Sequence, residues 1–345
     1  MAERQVITLK MESEIRFNTS KEIRNEPKNL DSEDRNLFAH EFKLDLPKVF
    51  KIELDNINVL RNTIFYWREF KFYKSLTHIF DTPNKYFWKR LRLLLTSAQH
   101  QKQGIWITDE ISSEYFHWFT DALTRLKAIE STYESKETLQ KNFSVILPDF
   151  YKTKPYIEYS LREMGYTPFY FNPKKRLKVQ KLISATHTAP TGNYNSLLIS
   201  KIHDSLRLEN KGFANRKIYI SRAKATKRTV LNEIKVIQLL QTHGYEIHSF
   251  EDYSFQKQLE IMSDTKVLVG IHGAGLTNML FMSRGAKVLE LRNEGDSHNN
   301  CYFSLASALS HDYYYLNNEG DREDTNSVNL TVDIDQLNTV LRQMN

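Results

Sequence analysis

The chain has 345 residues, of which 40% are hydrophobic and 26% charged, and it contains 8 Pro, 11 Gly and a single Cys. These values exclude a disordered chain, a collagen and a small disulfide-stapled scaffold, and the length favours two globular domains. The formal net charge of +6 is unevenly distributed, because segment 170–232 has fourteen Lys or Arg against two acidic residues while 233–345 has eight against sixteen. A segment this basic indicates either a solvated surface or a partner that carries negative charge.

The start of the chain carries charged residues at short intervals from Glu3 to Arg16, so no apolar core of a signal peptide forms there. Cys301 is the only cysteine and allows no internal disulfide, which is typical of a reducing compartment. No apolar run approaches the roughly 20 residues that cross a bilayer. The sequence therefore predicts a cytoplasmic protein that reaches a membrane, if at all, from its inner face.

Aromatic and basic residues are interleaved in segment 61–92, which has ten aromatic side chains and eight Lys or Arg. Three interpretations fit this composition: a domain core with a basic solvent face, a peripheral membrane contact in which the rings settle among the headgroups, and a stacking surface for single-stranded nucleic acid. Composition alone does not separate them. We keep membrane contact as a hypothesis and expect no nucleic acid partner.

Regular elements of the first half begin after an irregular or partly stranded lead-in at 1–60. The pattern predicts a strand at 104–108, a helix capped by Ser112 or Ser113 and running to about Ile129, a strand at 144–147, a helix from Pro155 to Gly165 and a strand at 169–171. Strands that alternate with helices are typical of a parallel sheet with crossover connections.

The second half repeats this alternation after segment 174–195, whose bases and turn residues predict a crossing between domains. Strands are expected at 217–221, 245–250, 266–271 and 287–291, with helices after Thr229, from Ser254, from Leu276 and after Asp333. The fold class is therefore α/β, with two Rossmann-like domains that each contain a parallel sheet. Their expected bounds are 1–95 for a lead-in that belongs to the first domain, 96–195 for the rest of that domain, 196–332 for the second domain and 333–345 for a closing helix.

Candidate ligand groups follow two strands of the second domain. In an open parallel sheet, ligands bind beyond the carboxyl ends of the strands, where Arg222 follows one strand and the turn His272–Gly275 follows another. Glycines let the backbone approach an anion, and amides at the start of the next helix point at it. With Lys224 and Arg228 close by, a pyrophosphate fits this loop, although a tight packing turn is the structural alternative. The loop is neither a Walker loop nor a dinucleotide fingerprint.

Several blocks of sequence occur in an order that resembles a known family. They are WITD at 106–109 with YFHWFTDALTRL at 115–126, YISR at 219–222 with Arg228 and Asn232-Glu233, FQKQ at 255–258, GIHGAGLTN at 270–278 and VLEL at 288–291. Together they resemble glycosyltransferase family 61 over about residues 100–310, whereas 1–95 shows no such match.

The resemblance implies a GT-B fold, in which two Rossmann-like domains face each other across a cleft and the second holds most of a nucleotide-sugar. It also implies inverting transfer without a metal ion or other cofactor, to a glycan or lipid-linked acceptor in cell-surface polysaccharide synthesis of the capsule type. Cations and helix amides would then neutralise the leaving diphosphate. The expected donor-binding residues are Arg222, Lys224, Arg228, His272, Gly273, Ala274, Gly275, Leu276, Thr277, Asn278 and Glu290, the last as an acceptor for ribose hydroxyls.

Inversion requires a general base that takes the proton of the acceptor hydroxyl. The candidates are His117 and Asp121, which share a helix face at a spacing of four residues, and Asp109 at the preceding turn. His187 and Asn193 are further candidates for contact with the sugar.

Two other functions compete with glycosyl transfer. A non-enzymatic nucleic-acid-binding protein would use the basic middle segment, but it would leave the HGAG and YFHW blocks unexplained. A nucleotide-sugar epimerase would also use Rossmann-like domains, but it would need a dinucleotide fingerprint that the sequence lacks.

Overall fold

The structure, a computed structural model, describes residues 10–67, 69–73, 76, 84–208, 214–296, 300–322 and 327–344. The chain divides into two compact units, one formed by Met1–Asn18 and Pro47–Pro190 and the other by Thr19–Leu46 and Thr191–Asn345. Residues 19–46, which we expected in the first domain, are part of the second unit. No helix within the described ranges is both long and apolar enough to cross a bilayer.

Helices and strands occur in both units. The strands are β1 (Lys10–Ile15), β2 (Lys21–Ile23), β3 (Lys43–Asp45), β4 (Val49–Leu60), β5 (Thr63–Tyr66), β6 (Lys71–Phe72), β7 (Ala98–Trp106), β8 (Ser144–Pro148), β9 (Pro168–Phe171), β10 (Arg176–Ala185), β11 (Arg216–Ile220), β12 (Glu246–His248), β13 (Thr265–Ile271), β14 (Lys287–Asn293), β15 (Asp312–Gly320) and β16 (Leu330–Thr331). The α-helices are α1 (Arg35–Phe38), α2 (Asn84–Leu91), α3 (Tyr115–His117), α4 (Leu123–Glu130), α5 (Lys136–Asn142), α6 (Pro155–Glu163), α7 (Ser196–Leu206), α8 (Glu233–Thr242), α9 (Phe255–Ser263), α10 (Cys301–Ala308) and α11 (Ile334–Gln343). The predicted α/β class with parallel strands is confirmed.

The first unit is built on an eight-stranded sheet in the order β6-β5-β4-β10-β7-β8-β9, with β1 paired to β4. Strands β10, β7, β8 and β9 run parallel, whereas β4 is antiparallel to β10. Because β8 and β9 follow β7 on one side and β10 lies on its other side, the strand order reverses between β7 and β10. Such a switch point is where open α/β sheets bind ligands.

The centre of this sheet is formed by strands from the lead-in, which we expected to be irregular or partly stranded, and from the predicted crossing. β4 has 12 residues, and its apolar side chains are buried except for Phe50, which is partly buried. The chain passes from the first unit to the second between Pro190 and Thr191, within the predicted crossing at 174–195. The first part of that segment is β10 instead of a linker, and in it Leu177 and Val179 face the core while Lys178 and Gln180 are exposed. Lysines on the solvent side of a half-buried strand produce the same composition as a linker, and only their alternation with apolar residues distinguishes the two.

The helical region after β7 contains a π-helical segment. α3 continues through a π-helix at Trp118–Ala122 into α4. The predicted serine cap was wrong: the N-cap is Glu114, without a side-chain hydrogen bond, and the Ser112 hydroxyl binds Asp109 instead. Short π-helical segments inside helices often occur at functional sites.

The second unit has a six-stranded sheet in the order β12-β11-β13-β14-β15-β16. The first five strands are parallel and β16 is antiparallel. The order reverses between β11 and β13, so their carboxyl ends form a second switch point. The Asp333 side chain caps α11 as predicted, whereas the Thr229 hydroxyl donates to Asn329 and α8 begins after Asn232.

The aromatic and basic segment 61–92 divides between core and surface. Phe65 and Phe72 are buried, as the core interpretation expects, whereas Trp67 and Trp88 are exposed. Part of the segment, at 68, 74–75 and 77–83, lies outside the described residues. Membrane contact through this segment stays a prediction.

His311 is buried in the second unit, where its Nε2–H donates to the backbone carbonyl of Met279 over 3.0 Å. Burial lowers the pKa of this imidazole to about 4. Between about pH 6.5 and 4 the unfolded chain therefore binds a proton that the folded chain does not. In that window the free energy of unfolding decreases as the pH is lowered, by about 1.4 kcal/mol for each pH unit.

We expect His311→Gln to lack this contribution, because glutamine keeps an N–H donor but does not titrate. Urea unfolding of both proteins at several pH values between 7 and 5 measures the difference in slope. Parallel curves of stability against pH for the two proteins would contradict the prediction.

Candidate active site

Beyond the carboxyl ends of β7 and β10, the first unit carries a histidine–carboxylate pair. Asp109 and His187 follow these two strands, so the switch point joins side chains that are 78 residues apart in the chain. The Nε2 of His187 donates to the Oδ2 of Asp109 over 2.8 Å. The His187 side chain is 22% exposed and that of Asp109 is 1% exposed. We named both residues from the sequence, but nothing in the sequence paired them.

Asp109 is fixed by the turn that it begins. Its Oδ1 accepts hydrogen bonds from the amides of Ile111 and Ser112, each at 3.1 Å, and from the Ser112 hydroxyl at 2.7 Å. Burial raises the pKa of this carboxyl, but the hydrogen bonds from His187 and Ser112 and the charge of Arg125 outweigh burial and hold the pKa well below its usual range. Asp109 is therefore ionised at neutral pH, which suits an anion that orients His187 better than a base that takes up a proton.

A second histidine–carboxylate pair lies on the helical region that follows. The Nδ1 of His117 donates to the Oδ2 of Asp121 over 2.6 Å. The side chains are 22% and 10% exposed. Because the carboxylate holds the proton on Nδ1, Nε2 is the nitrogen that can take up another. This arrangement suits a general base.

Arg125, on α4, connects both pairs to the sheet. Its side chain is fully buried. The Nε donates to the carbonyl of Ala185, the last residue of β10, over 2.8 Å. The Nη1 donates to the carbonyl of Ile107, the residue after β7, over 3.0 Å. Burial lowers the pKa of the guanidinium to about 10, against the opposing charges of Asp109 and Asp121. We did not predict this residue, although an arginine among the apolar positions of a helix is a signal for a buried charge.

At the second switch point, Arg222 and Arg228 meet the glycine turn. A Cβ placed on Gly273 would lie 3.3 Å from the Nη1 of Arg222 and 3.7 Å from the Cζ of Arg228. Both guanidinium groups therefore reach the turn, and a side chain at this position would crowd them. The sequence placed these groups at neighbouring strand ends, and the structure brings them into contact distance.

The two guanidinium groups are held in different ways. The Nε and Nη2 of Arg222 donate to the carbonyls of Arg228 and Lys227, each at 3.1 Å. The Nε of Arg228 is buried with no hydrogen-bond partner among the described atoms, and this residue has a left-handed φ of 55°. Burial, and then the charge of Arg228, lower the pKa of Arg222. An anion would stabilise two like charges held this close together.

Beside the glycine turn, His272 is held by a buried carboxylate. The Nδ1 of His272 donates to the Oε1 of Glu290, and the Oε2 of Glu290 accepts from the Tyr313 hydroxyl at 2.5 Å. Glu290 is fully buried, and although burial raises its pKa, His272 and Arg292 bring it below its usual value. We expected Glu290 to accept ribose hydroxyls, but it has no exposed oxygen and instead orients His272. Nothing in the sequence pointed to Tyr313.

The remaining donor-binding candidates divide between surface and interior. Lys224 is exposed and pairs with Asp252 at 2.5 Å. The residues after the glycine turn form a 3-10 helix at Ala274–Phe281, in which Leu276 and Thr277 are buried. Asn278 is nearly as buried, and its side chain donates to the carbonyl of Gly275 at 2.9 Å. These residues therefore shape the turn.

Two further polar residues take structural positions. Asn193 accepts a hydrogen bond from Arg24 over 2.7 Å within the second unit. Glu233 accepts from the Tyr219 hydroxyl at 2.8 Å and from the Arg222 amide at 3.4 Å. Glu233 therefore orders the loop after β11.

The substitution Arg125→Met removes a guanidinium that donates hydrogen bonds to two strand-end carbonyls and interacts through its charge with two carboxylates. Removing one partner of a buried charge network costs about 3–5 kcal/mol, so we expect a loss of that size in the free energy of unfolding, measured by urea denaturation at pH 7. Arg162→Met is the matched control, because Arg162 is exposed on α6 and surface substitutions stay within about 0.5 kcal/mol. Equally small losses in both variants would contradict the role given to Arg125.

The sequence of this chain is similar to those of known proteins. The sequence model of the family described as Glycosyltransferase 61 matches residues 115–289. The EGF domain-specific O-linked N-acetylglucosamine transferase of Drosophila melanogaster is 41% identical over 91 residues, which are 26% of this chain and 17% of that protein. The transferases of the same name from Bos taurus and Gallus gallus are 32% and 31% identical over 153 residues, which are 42% of this chain and 27% and 26% of those proteins.

The matched stretches span about a quarter or less of the length of these relatives. The family match, in contrast, covers slightly more than half of this chain and includes His117, His187, Arg222, Arg228 and His272. The matched region therefore contains residues from both switch points. The chain belongs to glycosyltransferase family 61.

Proposed function

We propose that this enzyme moves a sugar from a nucleotide-sugar donor to a hydroxyl of a glycan or lipid-linked acceptor, with inversion at the anomeric carbon. The observation that carries the proposal is the meeting of Arg222 and Arg228 at Gly273, at the switch point of a parallel sheet. Partly buried cations beside a glycine turn suit a diphosphate, which is the leaving group of a nucleotide-sugar. Membership of the family supplies the reaction class.

The same cations would support departure of the nucleoside diphosphate. As the bond between the anomeric carbon and the phosphate oxygen breaks, negative charge grows on that oxygen, and Arg222, Arg228 and the turn amides stabilise it. Arg228 and His272 line one small pocket of the second unit, so the imidazole is close enough to bind the phosphate or the donor sugar. In this proposal these groups neutralise the leaving group in place of a divalent cation, and no further cofactor is used.

The acceptor chemistry is assigned to the first unit. The acceptor oxygen attacks the anomeric carbon on the face opposite the diphosphate, and its proton passes to the Nε2 of His117. Asp121 then stabilises the imidazolium. His187, held by Asp109 through Nε2, positions the acceptor hydroxyl. Placing the donor on the second unit and the acceptor on the first is the division of roles found in GT-B enzymes.

The biological setting is part of the same proposal. The names of the relatives record the transfer of N-acetylglucosamine to EGF domains, which makes N-acetylglucosamine the first donor sugar to test. The exposed Trp67 and Trp88 of segment 61–92 support contact with a membrane surface, and we place the synthesis of a cell-surface glycan at its cytoplasmic face. A panel of nucleotide-sugars scored by release of nucleoside diphosphate tests the activity. Absence of release with every donor would favour the nucleic-acid-binding alternative.

Arg228→Gln should weaken binding of a nucleoside diphosphate by about 1.5–3 kcal/mol, the range for losing a hydrogen bond between charged groups, or roughly 10- to 150-fold. Isothermal titration calorimetry measures this affinity. Lys224→Gln is the control and should lose less, because the Lys224 ammonium is already paired with Asp252. Unchanged affinity in both Arg228→Gln and Arg222→Ala would remove the loop from the phosphate site.

Turnover should persist in the presence of a chelator, since protein cations neutralise the leaving group. Activity is measured as nucleoside diphosphate release with and without the chelator. Complete loss that magnesium or manganese restores would overturn metal-independent transfer.

His117→Ala should lower turnover by about 10²–10⁴-fold while leaving donor affinity nearly unchanged, because the imidazole acts on the acceptor. Asp121→Asn should cause a smaller loss of turnover. His187→Ala should act mainly on the KM for the acceptor. If folded His117→Ala keeps wild-type turnover, with its helix confirmed by circular dichroism, the assignment of the base is wrong.

A further inference from the structure

The first unit has an open polar face at the amino-terminal ends of β7 and β10, opposite Asp109 and His187. Lys178 and Gln180 of β10 are exposed, as are His100 and Lys102 of β7. The strand register places Asn58, Lys178 and His100 side by side on β4, β10 and β7. Further along, both strands are buried on both sides. β7 and β10 therefore expose polar side chains only at their amino-terminal ends.

This face is the floor of a cavity of about 1410 Å³. Leu94 borders it on one side, next to a small apolar cluster that includes Phe65 and Leu91. Lys141 and Asn142, at the end of α5, border it on the other side. The cavity is larger than the roughly 300–1,000 Å³ typical of sites for single small molecules. It therefore has room for an oligomeric ligand.

Apart from apolar and aromatic side chains such as Leu94 and Trp67, the lining side chains are basic or amide-bearing. The basic ones are His100, Lys102, Lys141, Arg176 and Lys178, and the amides belong to Asn56, Asn58, Gln101, Gln103, Asn142 and Gln180. No Asp or Glu is among the described lining residues, and none of the basic ones forms an ion pair with a described carboxylate. The cavity therefore attracts negative charge and offers many paired donors and acceptors.

Asn58 adds an unsatisfied acceptor to the floor. This residue is 9% exposed, and its Oδ1 has no hydrogen-bond donor among the described atoms. The Nε of Arg176, another lining residue, is also buried without a partner among them. Buried polar atoms are normally paired, and those that are not indicate a ligand or an ordered solvent molecule. At the border of the cavity, Trp67 is 60% exposed.

We propose that this cavity binds an acidic oligosaccharide. Carboxylates of the glycan pair with Lys102 and Lys178, and its hydroxyls, which both donate and accept, match the carboxamides around Asn58. The apolar C–H face of a sugar ring packs on the indole of Trp67. An extended segment of about 20 Å separates Lys102 from Asp109. The cavity is therefore a second glycan site, which holds a chain away from the reacting hydroxyl.

Two other anionic partners fit the cavity less well. Single-stranded nucleic acid binds through several exposed aromatic rings, whereas Trp67 is exposed here and the neighbouring Tyr66 is buried. A bilayer surface cannot enter a concave site to reach Asn58. The floor of amides and cations matches a polymer of hydroxyls and carboxylates.

Calorimetry with a hexasaccharide of alternating glucuronate and N-acetylglucosamine tests the proposal on the full chain without a nucleotide-sugar. We expect binding that weakens with salt and that falls at least about tenfold in the double variant Lys102→Gln, Lys178→Gln, since two charge-assisted hydrogen bonds are lost. Asn58→Leu should also weaken it. The matched control is Lys48→Gln with Lys152→Gln, two exposed lysines of the same unit outside the cavity, which should bind like the wild type.

Each comparison ligand has a defined outcome. A neutral hexasaccharide of N-acetylglucosamine should bind more weakly than the acidic one. Equal hexasaccharide affinity in the cavity and control double variants would overturn the proposal, as would tighter binding of a single-stranded oligonucleotide or of vesicles containing anionic lipid. Binding of the nucleoside diphosphate should stay unchanged in the cavity variants, so this test fails or succeeds independently of the donor site.

Discussion

A single buried cation holds the end of the first sheet where the chemistry is proposed. The Arg125 guanidinium joins the carbonyls that follow β7 and close β10, at the point where two parallel strands would otherwise leave polar groups unpaired in the interior. Its charge is balanced by Asp109 and Asp121, which in turn hold His187 and His117. Each histidine is therefore oriented by a carboxylate whose charge interacts with the same cation. Strand ends, carboxylates and imidazoles form one connected network.

The second unit uses a similar solution with different residues. His272 follows β13 as His187 follows β10, and a buried carboxylate, Glu290, holds its ring. Here the neighbouring cations are Arg222 and Arg228, which share a glycine turn instead of strand carbonyls. The cations of the two units have different roles. Arg125, each of whose three nitrogens donates to the protein, organises a site, whereas Arg228, whose buried Nε is unsatisfied among the described atoms, is prepared to bind an anion.

Much of the fold and of the candidate site could be predicted from the sequence, because these features depend on residues that are close together in the chain. The strand and helix alternation, the glycine turn and the four-residue spacing of His117 and Asp121 are all carried by neighbouring residues. Contacts between distant segments were not readable. The pairing of Asp109 with His187 depends on β10 lying beside β7 rather than beside β9. The burial of Glu290 depends on Tyr313, which lies on the next strand and 23 residues away.

The π-helical segment at Trp118–Ala122 bears on how chains of this family should be aligned. A π-helical turn contains one residue more than an α-helical turn and is equivalent to a single-residue insertion. Deleting one residue there would restore a continuous α-helix and rotate His117 by about 100° around the axis relative to Arg125. A family member with a one-residue gap at this turn would keep its fold and its glycine turn. Under the role proposed for His117, the acceptor chemistry of that family member would come from a different side chain.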